Sequence, residues 1–218
     1  MIRIFCLLIG YAFGLFQTAY IYGRMNGIDI RSQGSGNAGT TNALRTLGLK
    51  AGLITLGCDI GKCILAVLVT WLLFHRSHAE LIPLIKIWTS AGVILGHDFP
   101  FYLNFKGGKG IAATGGMIIA FGDLPLTLIG LVLFLAVFLT THYVSLASLC
   151  LSVSFFAGVI IRGNLGYYGM AAAGRTELYC VTAVLTVLAF YGHRGNIVRL
   201  LKGCERKTYL SRGKHQSS

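Results

Sequence analysis

The length and composition of this chain leave no room for a sizeable soluble domain. Hydrophobic residues make up 55% of its 218 residues and charged residues only 12%, whereas soluble domains carry about 25% charged residues. A helix needs about 20 apolar residues to cross the bilayer, so the chain predicts one all-α membrane bundle over residues 1–218. Its net charge of +12 requires no nucleic acid, because membrane topology and anionic lipid headgroups both account for basic residues.

Seven apolar segments follow one another along the chain, and each predicts a transmembrane helix. The first continues from Arg3 through Tyr22 without a small-residue cleavage site, which favours a retained helix over a secretory signal. The fourth is too short to cross alone and contains Gly115 and Gly116, which predicts a short or broken helix. The predicted spans are 1–23, 49–74, 81–99, 111–121, 125–141, 145–161 and 177–191.

Basic residues predict the orientation of these spans. Alternate connections lie on the same side, and the more basic side is expected to face the cytoplasm. The N-terminus is therefore predicted outside, and the basic tail, about 192–218, in the cytoplasm. The predicted cytoplasmic cations are Arg24, Arg31, Arg45, Lys50, Lys106, Lys109 and seven residues from Arg194 to Lys214, against Arg3, Arg76, Arg162 and Arg175 outside.

The connection at 34–45 combines glycines with hydroxyl and amide side chains and ends on a cation. Glycine lets backbone N–H groups approach an anion closely, and arginine can bind phosphate through two parallel hydrogen bonds. A phosphate site is the favoured interpretation, and a flexible polar linker is the alternative. The predicted phosphate-binding residues of this connection are Ser35, Gly36, Asn37, Gly39, Thr41, Asn42 and Arg45.

A second candidate segment runs from Gly96 to Gly110. It does not fit the Walker A pattern, which argues against a nucleotide triphosphatase. The turn Gly107-Gly108-Lys109-Gly110 places an ammonium among exposed amide donors, which suits a phosphate group. His97 has two open interpretations, a general base or a structural histidine bonded to a loop carbonyl.

Two further polar segments lie on the same predicted side. Residues 140–147 bring hydroxyls to a helix corner, where Ser145 can hold a substrate or cap the next helix. His193 and Asn196 are three apart and share a helix face. Within the second span, Asp59 and Lys62 predict a buried ion pair that is either structural or a support for the site.

Lys86 in the third span has no evident partner, and we predict that it snorkels to the outer interface. The cysteines show no metal-ligand spacing and no carboxylates converge for Mg²⁺, so no metal or cofactor is predicted.

A transporter for a phosphorylated solute is the main alternative function. No internal repeat supports it, and the polar segments lie on one face. A catalytically silent scaffold is a second alternative.

Three blocks of sequence resemble the bacterial acyl-phosphate:glycerol-3-phosphate acyltransferase family. They read Ser35-Gly36-Asn37-x-Gly39-x-Thr41-Asn42-x-x-Arg45, Gly96-His97-x-Phe99-Pro100 with Phe105-Lys106-Gly107-Gly108-Lys109-Gly110, and Asn196-Ile197-x-Arg199-Leu200. Asp59 with Lys62 and Ser145-Leu146 also match, so the resemblance covers nearly the whole chain in order. It implies seven transmembrane helices in the bacterial plasma membrane, an outside N-terminus and a site open to the cytoplasm.

The same resemblance implies the reaction. Acyl-phosphate donates an acyl group to glycerol 3-phosphate, without a metal, to give lysophosphatidic acid and inorganic phosphate. Ser35, Arg45 and Lys109 would bind phosphate groups, while Ser145, His193 and Asn196 would hold the two substrates. Ala38 and Thr40 depart from the family's Pro and Ala, which leaves open a paralogue that acylates another polyol phosphate.

Overall fold

The computed structural model describes residues 1–209, and in this part of the chain the regular structure is entirely helical. The α-helices are α1 Ile2–Gly14, α2 Thr18–Met25, α3 Thr40–Leu47, α4 Leu49–Phe74, α5 Ile82–Asp98, α6 Ile111–Phe121, α7 Leu124–Thr141, α8 Val144–Asn164, α9 Ala172–Gly192 and α10 Arg194–Leu201. Short 3-10 turns cover Ile30–Ser32, Ala79–Leu81 and Phe101–Leu103. Arg212 and Lys214 of the predicted basic tail lie outside the described residues.

The protein is a multi-pass membrane protein. Over residues 1–209, six helical segments of 18 to 26 residues are long and apolar enough to cross a membrane. Helix α6 corresponds to the fourth predicted segment and brings the number of apolar segments to seven. Its 11 residues cover only about 16 Å at 1.5 Å per residue. The prediction of a short fourth helix is therefore confirmed. Gly110 and Gly122, both in the left-handed region with φ of 68° and 83°, bound this helix.

The first span is present but is not the single continuous helix that residues 1–23 predicted. It breaks between α1 and α2 at residues 15–17. The break frees the carbonyl of Phe16, which accepts a hydrogen bond from Lys62 Nζ at 2.7 Å. Gln17 is fully buried and donates from Nε2 to the carbonyls of Gly14, Gly96 and His97. Polar groups from other helices therefore stabilise a break that the apolar sequence of this segment does not predict.

Helices α1 and α5 pack at very close range through four glycines, two on each helix at a spacing of four. A Cβ on Gly10 would lie 2.0 Å from the Thr89 carbonyl oxygen, and one on Gly92 would lie 2.1 Å from that of Leu7. Gly14 and Gly96 are equally restricted, at 2.3 Å from the nearest carbonyl oxygen in each case. Small residues at this spacing let helix backbones approach in a membrane, and here they fix the end of α5 against the break after α1.

The apolar core lies between α4, α5, α6, α8 and α9, where Ile87, Val159 and Leu178 have no exposed surface. Helix α7 instead presents Leu128, Val132 and many other apolar side chains outward. Outward-facing apolar residues suit a helix in contact with lipid, because a membrane bundle need not bury them.

Two ion pairs lie at the end of the bundle where α1 begins. Arg3 binds Glu177 at 2.9 Å, and Arg162 forms an ion pair with Asp123 at the start of α7. Lys86 has a partner that the sequence did not reveal, since its Nζ donates to the carbonyl of Phe121 at 2.9 Å. Lys86 thus provides a hydrogen-bond donor for the last carbonyl of the short helix α6, because the final carbonyls of a helix have no partners within it.

Candidate active site

The Gly107-Gly108-Lys109-Gly110 turn is held against the end of α5. The backbone N–H of Gly107 donates to the carbonyl of Asp98 at 3.1 Å, and that of Gly108 donates to the carbonyl of His97 at 3.0 Å. Gly110 follows in the left-handed region, which glycine enters without steric cost. The turn therefore leads directly into α6 with Lys109 at its tip.

Lys109 reaches a hydrogen-bond chain formed by the C-terminal part of the protein. Its Nζ donates to Asn196 Oδ1, and Asn196 Nδ2 donates to Glu205 Oε1 at 2.6 Å. Ser145, at the start of α8, donates to the same Glu205 oxygen at 3.0 Å. Arg199 binds the other oxygen, Oε2, at 2.7 Å. Ser145 and the α10 residues Asn196 and Arg199 thus meet at one carboxylate, and Lys109 is connected to it through Asn196.

Arg45, in the last turn of α3, reaches the residues that follow Glu205. Its Nη2 donates to Thr208 Oγ1 at 2.5 Å and to the carbonyl of Arg206 at 3.0 Å. The segment 204–209, here named the tail segment, is held at two more points. Arg206 donates to the carbonyl of Gly34 at 3.2 Å, and the N–H of Thr208 donates to the carbonyl of His142 at 2.9 Å.

Asn42 shapes the loop at 34–42. The side chain is 1% exposed, and its Oδ1 accepts a hydrogen bond from the N–H of Ser35 at 2.8 Å. Its Nδ2 donates to the carbonyls of Ile30 and Gln33 at 3.0 and 2.9 Å. The amide of Asn42 is therefore occupied by hydrogen bonds to the protein, and these bonds hold the loop around Ser35. Ser35 itself is exposed.

His193 is buried at the junction of α9 and α10. Its Nδ1 lies 2.8 Å from the carbonyl of Ala189, and because a carbonyl only accepts, Nδ1 carries the proton and Nε2 has the free lone pair. Burial and the nearby charge of Lys109 lower the pKa of His193 to about 4. The imidazole is therefore neutral at pH 7, suited to accepting a hydrogen bond and weak as a base.

Positive charge is concentrated around Lys109. Burial lowers its pKa to about 8, the charges of Arg199 and Arg45 add to this effect, and Glu205 opposes it. Burial alone would raise the pKa of Glu205, but hydrogen bonds from Asn196, Arg199 and Ser145 lower it below its usual value. The site thus holds one ionised carboxylate among several cations, and an anionic ligand would stabilise the charged form of Lys109.

His97 lies beneath the glycine turn. It is 2% exposed, Lys62 Nζ lies 2.8 Å from Nδ1, and a Cβ on Gly108 would lie 1.9 Å from Nε2. Both ring nitrogens are therefore covered. The structure places this predicted phosphate-binding residue behind the turn, so a role as proton acceptor would require the turn to move.

The other predicted site residues divide into two groups. The structure brings Arg45, Lys109, Ser145 and Asn196 together around the tail segment, with His193 next to Lys109. The remaining predicted residues lie next to this group, in the loop at 34–42 and in the glycine turn. They are Gly36, Asn37, Gly39, Thr41, Gly107, Gly108 and Gly110. Over residues 1–209, His, Cys, Asp and Glu form no group of three that could hold a metal ion.

Glu205 was not among the predicted site residues, although it accepts hydrogen bonds from two of them. One signal was available in the sequence, because Glu205 is the sole acidic residue after Glu177 in a strongly basic region. An isolated acid in such a region indicates a partner for several cations.

Comparison with known proteins identifies the family. The sequence model of the glycerol-3-phosphate acyltransferases matches residues 4–203. The chain belongs to the glycerol-3-phosphate acyltransferase family. Among its relatives, the glycerol-3-phosphate acyltransferase of Thermoanaerobacter sp. (strain X514) is 36% identical over 95% of this chain and 96% of its own. The Bacillus subtilis (strain 168) protein is 35% identical over 92% and 95%, respectively.

Two solved structures share the fold of this acyltransferase. Both are crystal structures of PlsY (YgiH), an integral membrane glycerol 3-phosphate acyltransferase, and both are 29% identical over 95% of this chain and 96% of that one. The TM-score is 0.80 for the glycerol 3-phosphate form and 0.78 for the lysophosphatidic acid form. The all-helical membrane fold and the family resemblance are thus confirmed.

Proposed function

We propose that this protein transfers a fatty acyl group from acyl-phosphate to glycerol 3-phosphate. The products are lysophosphatidic acid and inorganic phosphate, and the reaction is the first acylation of phospholipid synthesis. One observation carries the proposal: Arg45 and Lys109, from segments far apart in sequence, both reach the tail segment and its hydrogen-bond partners. The relatives named above support glycerol 3-phosphate as the acceptor.

Both substrates carry phosphate, so the site must offset the repulsion between two anions. Arg45 can bind a phosphate through parallel hydrogen bonds, whereas Lys109 acts as a compact charge. Ser35, Asn37 and Thr41 add neutral donors. Gathering both reactants in a productive geometry lowers the barrier by about 7–11 kcal/mol in the best cases. Each donor placed at the developing charge contributes roughly 3–4 kcal/mol more.

The reaction needs no acyl-enzyme, because phosphate is a good leaving group. A hydroxyl oxygen of glycerol 3-phosphate forms a bond to the acyl carbon, and the bond between that carbon and the phosphate oxygen breaks. The hydroxyl proton passes to the departing phosphate, which leaves as inorganic phosphate. His193, neutral at pH 7, accepts a hydrogen bond from the hydroxyl and orients it, since a pKa of about 4 makes it a weaker proton acceptor than phosphate.

We place the site at the cytoplasmic face of the bacterial plasma membrane, with the N-terminus outside. The proposal is supported by the concentration of cations at this end of the bundle, where Arg45, Lys109 and Arg199 surround Glu205. The positive-inside rule assigns such an end to the cytoplasm. Membrane lipids would surround the helices, and the acyl chain would enter between them from the bilayer.

The direct test uses purified protein in detergent, acyl-phosphate, and a panel of polyol phosphates that includes glycerol 3-phosphate. We expect phosphate release that depends on the acceptor, together with a radioactive lysolipid from labelled glycerol 3-phosphate. Release with another polyol phosphate alone would replace the acceptor and keep the reaction class. No release with any acceptor, combined with uptake of unmodified glycerol 3-phosphate into sealed vesicles, would replace the acyltransferase with a transporter.

A further inference from the structure

A buried polar cluster lies directly behind the glycine turn and is not part of the proposed chemistry. Lys62 Nζ lies 2.8 Å from Asp59 Oδ1, 2.8 Å from His97 Nδ1 and 2.7 Å from the carbonyl oxygen of Phe16. Thr18 donates to the same Asp59 oxygen at 3.3 Å. These residues come from α2, α4, α5 and the break after α1, so the cluster connects four parts of the bundle.

The hydrogen bonds of the cluster determine the state of the histidine. An ammonium has only donors and no acceptor, and Lys62 Nζ is hydrogen-bonded to His97 Nδ1 and to the carbonyl of Phe16 while it forms an ion pair with Asp59. His97 Nδ1 must therefore accept, and the proton of the neutral ring lies on Nε2, beneath Gly108. Lys62 thus fixes both the orientation of the ring and its tautomer.

The histidine in turn determines where the glycine turn can lie. Its carbonyl accepts the N–H of Gly108 at 3.0 Å and the side chain of Gln17 at 2.9 Å. Its ring leaves no room for a side chain at Gly108. The carbonyl and the ring of His97 therefore both constrain the turn and, through it, Lys109, the next residue.

We propose that Asp59, Lys62 and His97 are positioning residues, which hold the turn so that Lys109 presents its ammonium to a substrate phosphate. The inference rests on the proposed function. Stability alone accounts poorly for this cluster, because a buried ion pair contributes little net stability compared with apolar residues of similar size. Holding the glycine turn in place gives these buried charges a functional role.

The test compares His97→Asn with His97→Leu. Asparagine keeps an acceptor near the position of Nδ1 for Lys62, whereas leucine has a similar volume and no acceptor. With acyl-phosphate saturating, we expect His97→Leu to raise the KM for glycerol 3-phosphate at least about tenfold and to change kcat less. His97→Asn should restore most of the wild-type KM. The pH dependence of kcat/KM should also move in His97→Leu, because it reports the ionisation of groups in the free enzyme.

A double variant covers the case in which His97→Leu does not fold. Asp59→Asn with Lys62→Met removes both charges together and leaves no single buried charge. We expect a folded protein with a lowered melting temperature, because the Phe16 carbonyl loses its donor. We also expect a raised KM for glycerol 3-phosphate, because His97 loses its donor as well. Wild-type KM and pH profile in a folded His97→Leu or in the double variant would overturn the inference. Absence of turnover in the wild type would instead defeat the proposed function.

Discussion

Glu205 accepts a hydrogen bond from Ser145 at 3.0 Å, although 60 residues separate them in the sequence. The contact joins the start of α8 to the tail segment beside the proposed phosphate site. Asn196 and Arg199 bind the same carboxylate, which is 9% exposed. This carboxylate thus organises the donors around the cations.

The first prediction concerns removal of that carboxylate. Glu205→Ala leaves the three donors without their acceptor, and hydrogen bonds to a charged group contribute about 1.5–3 kcal/mol. We expect a clear fall in melting temperature in detergent, together with reduced phosphate release. Glu205→Gln keeps one acceptor oxygen and should lose less of both. A Glu205→Ala protein that matches the wild type in stability and turnover would show that Glu205 has no organising role.

The second prediction concerns the alkaline side of the pH profile. The pKa of Lys109 is lowered to about 8, and the proposed mechanism requires the protonated ammonium. The value of kcat/KM should therefore fall as the pH rises through about 8, since this parameter reports the free enzyme. Lys109→Arg retains its charge to much higher pH. The kcat/KM that remains in this variant should therefore not fall as the pH rises through about 8. An unchanged fall in Lys109→Arg would assign it to another group.

The third prediction concerns Arg45. Arg45→Ala should lower kcat/KM by about 100-fold or more, the usual effect of losing one preorganised donor at a developing charge. Lys50→Ala is the matched control, because Lys50 is an exposed cation just beyond α3 and surface changes usually have small effects. Equal losses in the two variants would mean that net charge matters and the specific contact does not.

The fourth prediction tests the close packing of α1 against α5. Gly10→Ala places a Cβ 2.0 Å from the Thr89 carbonyl oxygen, and overpacking of this kind costs about 1–3 kcal/mol. We expect a lower melting temperature. Gly57→Ala is the control, since a Cβ on this α4 glycine meets nothing within 4 Å. If Gly10→Ala were as stable as Gly57→Ala, the two helices would not depend on this contact.

The membrane segments were predictable because each depends on a local property, a run of apolar residues. The predicted spans 49–74 and 111–121 coincide with α4 and α6. The break at 15–17 was not predictable from local sequence, since Leu15 and Phe16 are themselves apolar. It depends on Lys62 and on the end of α5, which approach only in the folded bundle.

The cations of the site were predictable for a similar reason. Arg45 follows one glycine-rich loop, in helix α3, and Lys109 lies in another on the same predicted side. Both patterns are local. The sequence marks Glu205 as an isolated acid, but its partners Ser145 and Asn196 required knowledge of the fold, because they come from different helices. The orientation in the membrane, the acyl-phosphate donor and the role of each site residue remain predictions.

A double-mutant cycle of Arg45→Ala and Lys109→Ala tests most directly whether the two cations bind one ligand. It would measure kcat/KM for glycerol 3-phosphate with acyl-phosphate, in variants with wild-type melting temperatures. If the cations act together, the double variant should be scarcely worse than the poorer single variant, with a coupling of about 1–3 kcal/mol. Single losses that simply multiply, or Lys109→Ala that retains most of its activity, would contradict a shared phosphate site.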